Sequence, residues 1–483
     1  MNFKMLGRFI AQIVSIEALF MIPALLISLG YGEMNAVLAF LYTMGIMLVV
    51  AGLLYLLCHS TGKLFGAREG LVCVGLSWGV MSLLGCLPFV FSGSIPSYVD
   101  ALFEMVSGFT TTGASILTDV ECLPRGILYW RSFSHWVGGM GVLVFLLALS
   151  PSGSGKGFTM HLLRAESPGP DVGKLVPKMR TTAMILYVIY IAMTVLNFIF
   201  LLFGHMDWLE ALCTALGTAG TGGFGVRNDS MASFSPYIQN VTTVFMFLFG
   251  INFSCYYLLL IGSWRSVFKD EELRLYIILA VGVVTLIAFN VRHLYGTWEE
   301  TIRHSAFQVS SIITTTGYGT SDFNLWPMFS KTLIMLLMIT GACAGSTCGG
   351  LKLTRVLLLF KSLRRNIRKV LNPRKVQVVR INGKVVDETV MDNVNAYLAA
   401  YVIIIICCFI AISLDGLSVE ANLSAVLSCF NNIGPGLAEV GPTSNFSCFS
   451  DLSTFLLTVV MLAGRLEIFP ILVLFSRSTW SRK

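Results

Sequence analysis

The chain has 483 residues, of which 55% are hydrophobic and only 12% charged, with a formal net charge of +7 and a mean hydropathy of +0.77. A soluble domain carries roughly 25% charged residues, so this composition excludes an ordinary soluble fold. The positive charge lies in loops between apolar runs, which makes it a topology signal and gives no reason to invoke nucleic acid.

Apolar runs of about 20 residues, the length that crosses about 30 Å of hydrocarbon, recur along the chain. They predict spans at 8–29, 36–58, 71–92, 125–150, 181–204, 237–262, 273–292, 326–360, 393–414 and 452–475. The first follows Lys4 and Arg8 as a signal peptide would. It is too long, lacks a small-residue cleavage site and is followed at once by a second span, so it reads as a retained helix. Residues 1–58 form a two-helix extension.

Beyond it a glycine motif recurs four times, after stretches too short to span. The copies are SGFTTTGAS (Ser107 to Ser115), GTAGTGGFG (Gly217 to Gly225), SIITTTGYGT (Ser311 to Thr320) and FNNIGPGL (Phe430 to Leu437). Aligning Gly113, Gly222, Gly317 and Gly434 spaces them roughly 100 residues apart, one supersecondary unit per repeat. Each repeat reads span, half-helix, loop, span. The repeats occupy 59–150, 151–262, 263–360 and 393–483.

The half-helices are Tyr98 to Phe109, the stretch opened by Asp207 and Glu210, Thr301 to Ile312, and Ala421 to Phe430. Asp100, Glu104, Glu299, Glu300 and Glu420 also mark their starts, where acidic groups suit the positive dipole end. Their negative ends then point at the membrane centre. The fold class expected is all-α and membrane-embedded, with four pseudo-symmetric repeats around one ion pathway.

The loop residues form a candidate filter: Thr111, Thr112 and Gly113; Gly220, Thr221 and Gly222; Thr315, Thr316 and Gly317; Asn432, Ile433 and Gly434. They carry almost no charge, which argues for backbone carbonyls rather than a carboxylate ring as the selecting groups for a cation. In repeat three, the ten-residue run Gly341 to Gly350 is too polar for a span interior. Such backbone is tolerated at membrane depth only where it is buried in protein or lines a wet cavity. It reads as an intramembrane loop below the filter that includes Gly345, Ser346, Thr347, Cys348, Gly349 and Gly350. Arg465 sits mid-span, where a lone charge costs at least about 2.5–3.5 kcal/mol, so it should face a watery cavity or a partner. Under a cation filter it would be an electrostatic barrier.

Residues 361–392 form the longest basic segment, with a hairpin pattern at Val376 to Val386 turning at Asn382-Gly383. It serves topology or docks a cytosolic partner. With the N-terminus inside, 26 of the 33 Lys and Arg fall on the cytosolic side, and the C-terminus is cytosolic too. No cysteine spacing matches a metal site; a bridge among Cys122, Cys429 and Cys448 stays open. Gly153 to Gly157 lacks the residues of a phosphate loop. His135, His161 and His304 read as isolated, and no catalytic constellation is visible, so no enzyme is expected.

TTTGA (Thr110–Ala114), Gly222–Phe224, CAGSTCGGLK (Cys343–Lys352), NNIGPGL (Asn431–Leu437) and GRLE (Gly464–Glu467) resemble motifs of the Trk/Ktr/HKT superfamily of potassium transporters, most closely its TrkH branch. The resemblance covers nearly the whole chain. It implies potassium uptake across the bacterial inner membrane, K⁺ as the transported ion with no bound cofactor, and a filter of four M1-P-M2 repeats. It also implies a gating loop contacted by an arginine, a homodimer in the bilayer, and a cytosolic TrkA-type nucleotide-binding regulatory subunit. Two departures are Cys348 in place of a loop glycine and the small Gly220-Thr221 before the second filter glycine. The resemblance also implies potassium rather than sodium, since glycine stands at all four filter positions. The alternatives are a carrier coupling K⁺ to Na⁺ or H⁺ and, from another class, a membrane-embedded enzyme or receptor.

Overall fold

The computed structural model describes residues 3–58, 67–141, 179–375 and 377–480. Gly153 to Gly157, His161 and the inner part of the 125–150 span lie outside the described residues. Among the described residues, six helices are long and apolar enough to cross a bilayer, and a seventh candidate is a pair bent by 89°. Phe3–Gly30 and Met34–Leu57 are the first two of the six.

Four units follow, each with a long helix, a short helix and a return helix. The long helices are Glu69–Phe91, Thr181–Phe203, Glu271–Leu294 and Glu388–Asp415. The short ones are Tyr98–Phe109, Trp208–Gly220, Trp298–Ile313 and Val419–Asn431. At 12 to 16 residues they extend about 18–24 Å, too little to cross the hydrocarbon. Each starts on a side-chain cap. Ser97, Asp207, Thr297 and Ser418 accept from the N–H of Asp100, Leu209, Glu300 and Ala421 at 3.4, 3.1, 3.2 and 3.2 Å. Glu104 departs from its expected place at the helix start. It lies beyond the first turn, fully buried, where it pairs with Arg131.

The return helices of units two, three and four are interrupted, and that of unit one ends where the described residues stop. In unit one, Arg125–Met140 ends at Gly141, whose φ is +79°. In unit two, Pro236–Phe249 and Phe253–Leu260 meet at a sharp bend, and the Asn252 side chain caps the second piece through Ser254 N at 2.8 Å. In unit three, Met328–Ile339 and Leu353–Leu371 flank the expected loop. In unit four, Asp451–Arg465 stops before Glu467 and Ile468, both at positive φ, and Phe469–Phe475 begins with Pro470 in its first turn. The breaks touch each other: Cys343 N donates to Gly250 O at 3.2 Å, and Phe253 N to Gly345 O at 3.0 Å.

On the basic segment, Arg380–Ile381 pairs with Lys384–Val385 across Asn382-Gly383, both at positive φ as a tight hairpin requires. Asn382 ties the turn to the start of Glu271–Val291, bonding Asp270 at 2.8 Å and Glu271 N at 2.9 Å. All twelve cysteines are unpaired, so Cys122, Cys429 and Cys448 form no bridge.

Candidate cation filter and intramembrane loop

The four short helices end alike. Thr111, Thr221, Thr315 and Asn432 adopt left-handed backbone, with φ of 57, 54, 52 and 56°. The next residue bonds back five positions: Thr112 N to Ser107 O, Gly222 N to Gly217 O, Thr316 N to Ser311 O and Ile433 N to Ser428 O, all at 2.8–2.9 Å. A glycine at positive φ comes third: Gly113, Gly223, Gly317 and Gly434. Helices commonly end on a left-handed residue that is glycine. A β-branched threonine there is strained, and such strain concentrates at functional sites.

This register corrects the second triplet. It is Thr221, Gly222 and Gly223; Gly220 is the last residue of its helix. Glycines at 217, 220, 222, 223 and 225 left the alignment ambiguous, and the left-handed threonine resolves it.

The four loops close into a ring. A Cβ on Gly113 would collide with Gly222 O, one on Gly223 with Thr316 O, and one on Gly317 with Ile433 O. On Gly434 it would lie 2.9 Å from Thr112 O. Each glycine therefore abuts the carbonyl of the preceding position in the next unit, and the fourth returns to the first. The oxygens of Thr112, Gly222, Thr316 and Ile433 thus stand around one axis. Outside the ring lies a cavity of about 120 Å³ lined by the four glycines, Ser444 and Arg131. Arg131 is neutralised by Glu104 at 2.5 Å, and Glu104 also accepts from Ile116 N at 2.9 Å.

On the other side stands the loop between Thr340 and Leu351. Its neck is closed by Gly341 N to Leu351 O at 2.8 Å. Its far limb touches the ring, with Gly349 N donating to Thr315 Oγ1 at 2.8 Å. Arg465 donates to Thr347 O at 2.9 Å and to Gly138 O and Gly139 O at 2.5 and 2.8 Å. The buried Lys352 ammonium donates to Cys348 O. Glu272 Oε1 accepts from Ala344 N at 2.7 Å and Thr354 N at 3.0 Å, tying the near limb of the loop to the first turn of Leu353–Leu371. Glu467 faces away from Arg465 and pairs with Arg355. Gly345 and Gly350 are the loop residues at positive φ. Cys348 is not, so its Cβ brings no backbone strain.

The model of the TrkH family, described as a cation transport protein, matches residues 37–482. The chain belongs to that family. The transporter is 34% identical over 487 residues to the Trk system potassium uptake protein TrkH of Escherichia coli K12, covering 99% of this chain and all of that one. TrkH of Halomonas elongata is 32% identical over the full length of both chains. TrkG of Escherichia coli K12 is 30% identical across 97% of this chain and 96% of its own. The crystal structure of the potassium transporter TrkH from Vibrio parahaemolyticus superposes with a TM-score of 0.88 over both whole chains, at 29% identity. Members of this family are membrane ion transporters, so the protein is not an enzyme.

Eleven of the twelve residues expected in the filter belong to the matching triplets, and Gly223 replaces Gly220. The expected loop residues and Arg465 come together beneath them. Sequence reasoning missed Glu272, Lys352 and His135 in the transporter. His135 is fully buried behind the second loop, between Gly108 O and Phe224 N. Arg131 and His135 stand four residues apart ahead of Gly138-Gly139, which puts them on one helix face; that was the available signal.

Proposed function

We propose that the protein takes up potassium ions across the bacterial cytoplasmic membrane. The ion sheds water and is held by the carbonyl oxygens of Thr112, Gly222, Thr316 and Ile433. The observation that carries this reading is the closed ring, in which each glycine meets the carbonyl of its neighbouring unit. Four helix C-termini end at the ring, and their partial negative charges favour a cation there. Neutral oxygens in place of hydration water suit a monovalent ion. The relatives named as potassium uptake proteins support K⁺ as the cargo.

In this reading the loop from Gly345 to Gly350 obstructs the path, and Arg465 holds it through Thr347 O. A cytosolic nucleotide-binding subunit releases it. The motif resemblance supports that partner and a homodimer, and the distribution of Lys and Arg supports cytosolic termini. Ion flux into proteoliposomes tests the reading. K⁺ influx should exceed Na⁺ influx and run without a Na⁺ or H⁺ gradient. Equal flux of both ions would overturn the filter assignment, and dependence on either gradient would make the protein a symporter.

A further inference from the structure

The ring has an asymmetry that the four-unit plan does not explain. Three of its carbonyls belong to Thr112, Thr316 and Ile433, whose β-branched side chains are fully buried. The fourth belongs to Gly222, which is followed by Gly223. A Gly-Gly peptide has no side chain to fix its orientation and the widest backbone freedom. Left alone, it could turn Gly222 O off the axis.

His135, from the return helix of unit one, occupies the missing place. The three atoms nearest a Cβ built on Gly222 all belong to its imidazole, and all lie in collision. Nδ1 is 2.8 Å from Gly108 O, an acceptor, so Nδ1 carries the proton and donates. Nε2 then accepts from Phe224 N at 3.3 Å. The imidazole packs on the Phe224 ring at 4.1 Å between centroids. One turn earlier, the Arg131 guanidinium lies 3.7 Å from the same ring and donates to Gly225 O at 3.0 Å. One helix face of unit one thus grips the backbone of unit two on the far side of the Gly-Gly peptide.

We propose that His135 is a specificity-determining positioning residue: it supplies from unit one the side chain that the unit-two loop lacks, and so holds Gly222 O toward the axis. This rests on the reading of the ring as the potassium filter. Gly222 is not at positive φ, so the backbone accepts a side chain there once the imidazole is gone.

The test measures K⁺ and Na⁺ influx per folded molecule in proteoliposomes. His135→Ala should lower the K⁺/Na⁺ ratio severalfold, because the imidazole packing and both of its hydrogen bonds are lost beside the Gly-Gly peptide. His135→Asn keeps a donor for Gly108 O but loses the acceptor for Phe224 N, and should give an intermediate ratio. The double variant His135→Ala with Gly222→Thr gives unit two its own β-branched side chain and should recover most of the ratio. Gly222→Ala alone should lose it, because the methyl meets the imidazole. A wild-type ratio in His135→Ala, or in His135→Asn if the alanine variant does not fold, overturns the proposal. So does a double variant no better than His135→Ala. Gly113→Ser separates the two readings. If it loses discrimination while His135→Ala does not, only the role of His135 falls. If Gly113→Ser also keeps the wild-type ratio, the ring is not the filter and both fall.

Discussion

Replacing Arg465 with alanine should raise basal K⁺ flux. The guanidinium donates to Thr347 O in the loop and to Gly138 O and Gly139 O in unit one, so it ties the loop to the wall of the pathway. A hydrogen bond from a charged donor contributes about 1.5–3 kcal/mol. Arg465 is half-buried, and the lower part of that range applies because solvent screens it. Losing about 1.5–2 kcal/mol from the closed state raises the open-to-closed ratio roughly 10- to 30-fold. The loop does not come free, because Gly349 N still bonds Thr315 Oγ1 and Glu272 still ties Ala344 to Thr354 in the following helix. In the proposed pathway, removing the charge would also lower the electrostatic barrier to a cation beneath the ring. The assay is initial Rb⁺ uptake into proteoliposomes without a regulatory subunit, normalised to monodisperse protein. Uptake that falls in proportion to folded protein would make Arg465 a packing residue and refute its gating role.

Three further outcomes follow from the same geometry. Gly113→Ser places a Cβ against Gly222 O at a φ of +78°, with strain of about 1–2 kcal/mol and a clash of about 1–3 kcal/mol. The protein should still fold while its K⁺/Na⁺ flux ratio drops; an unchanged ratio would remove Gly113 from the filter. Deleting Gly345 to Gly350 should raise basal flux, and resting-level flux in a folded deletion variant would locate the gate elsewhere. Glu104→Ala strands the Arg131 guanidinium, which is 2% exposed, and should cost about 3–5 kcal/mol, read as a large fall in melting temperature in detergent. A melting temperature close to wild type would mean that water already satisfies Arg131.

Much of this architecture was legible because it rests on local chemistry. The short helices follow from capping residues ahead of amphipathic runs, and Tyr98 to Phe109 appears at its expected bounds. The loop at Gly341 to Gly350 was legible because polar backbone cannot face lipid. The break in unit two was not, since Phe249 to Phe253 reads as nearly continuous apolar helix and only Asn252 marks the new start. The break in unit four was legible in Pro470, which cannot continue a helix, but its turn rests on Glu467 and Ile468 at positive φ, which no propensity would place there. The second triplet slipped by one residue because glycine alone cannot define a register among five glycines. His135 with Phe224, Arg131 with Glu104, and Glu272 with the loop are pairings across the fold, and periodicity carries no record of them.

The most direct measurement of the central claim is anomalous diffraction from crystals grown in Rb⁺. The expected result is a Rb⁺ peak on the axis within coordination distance of the oxygens of Thr112, Gly222, Thr316 and Ile433, replaced by K⁺ and weakened by Gly113→Ser. Anomalous density that avoids this ring while the same preparation transports Rb⁺ would contradict it.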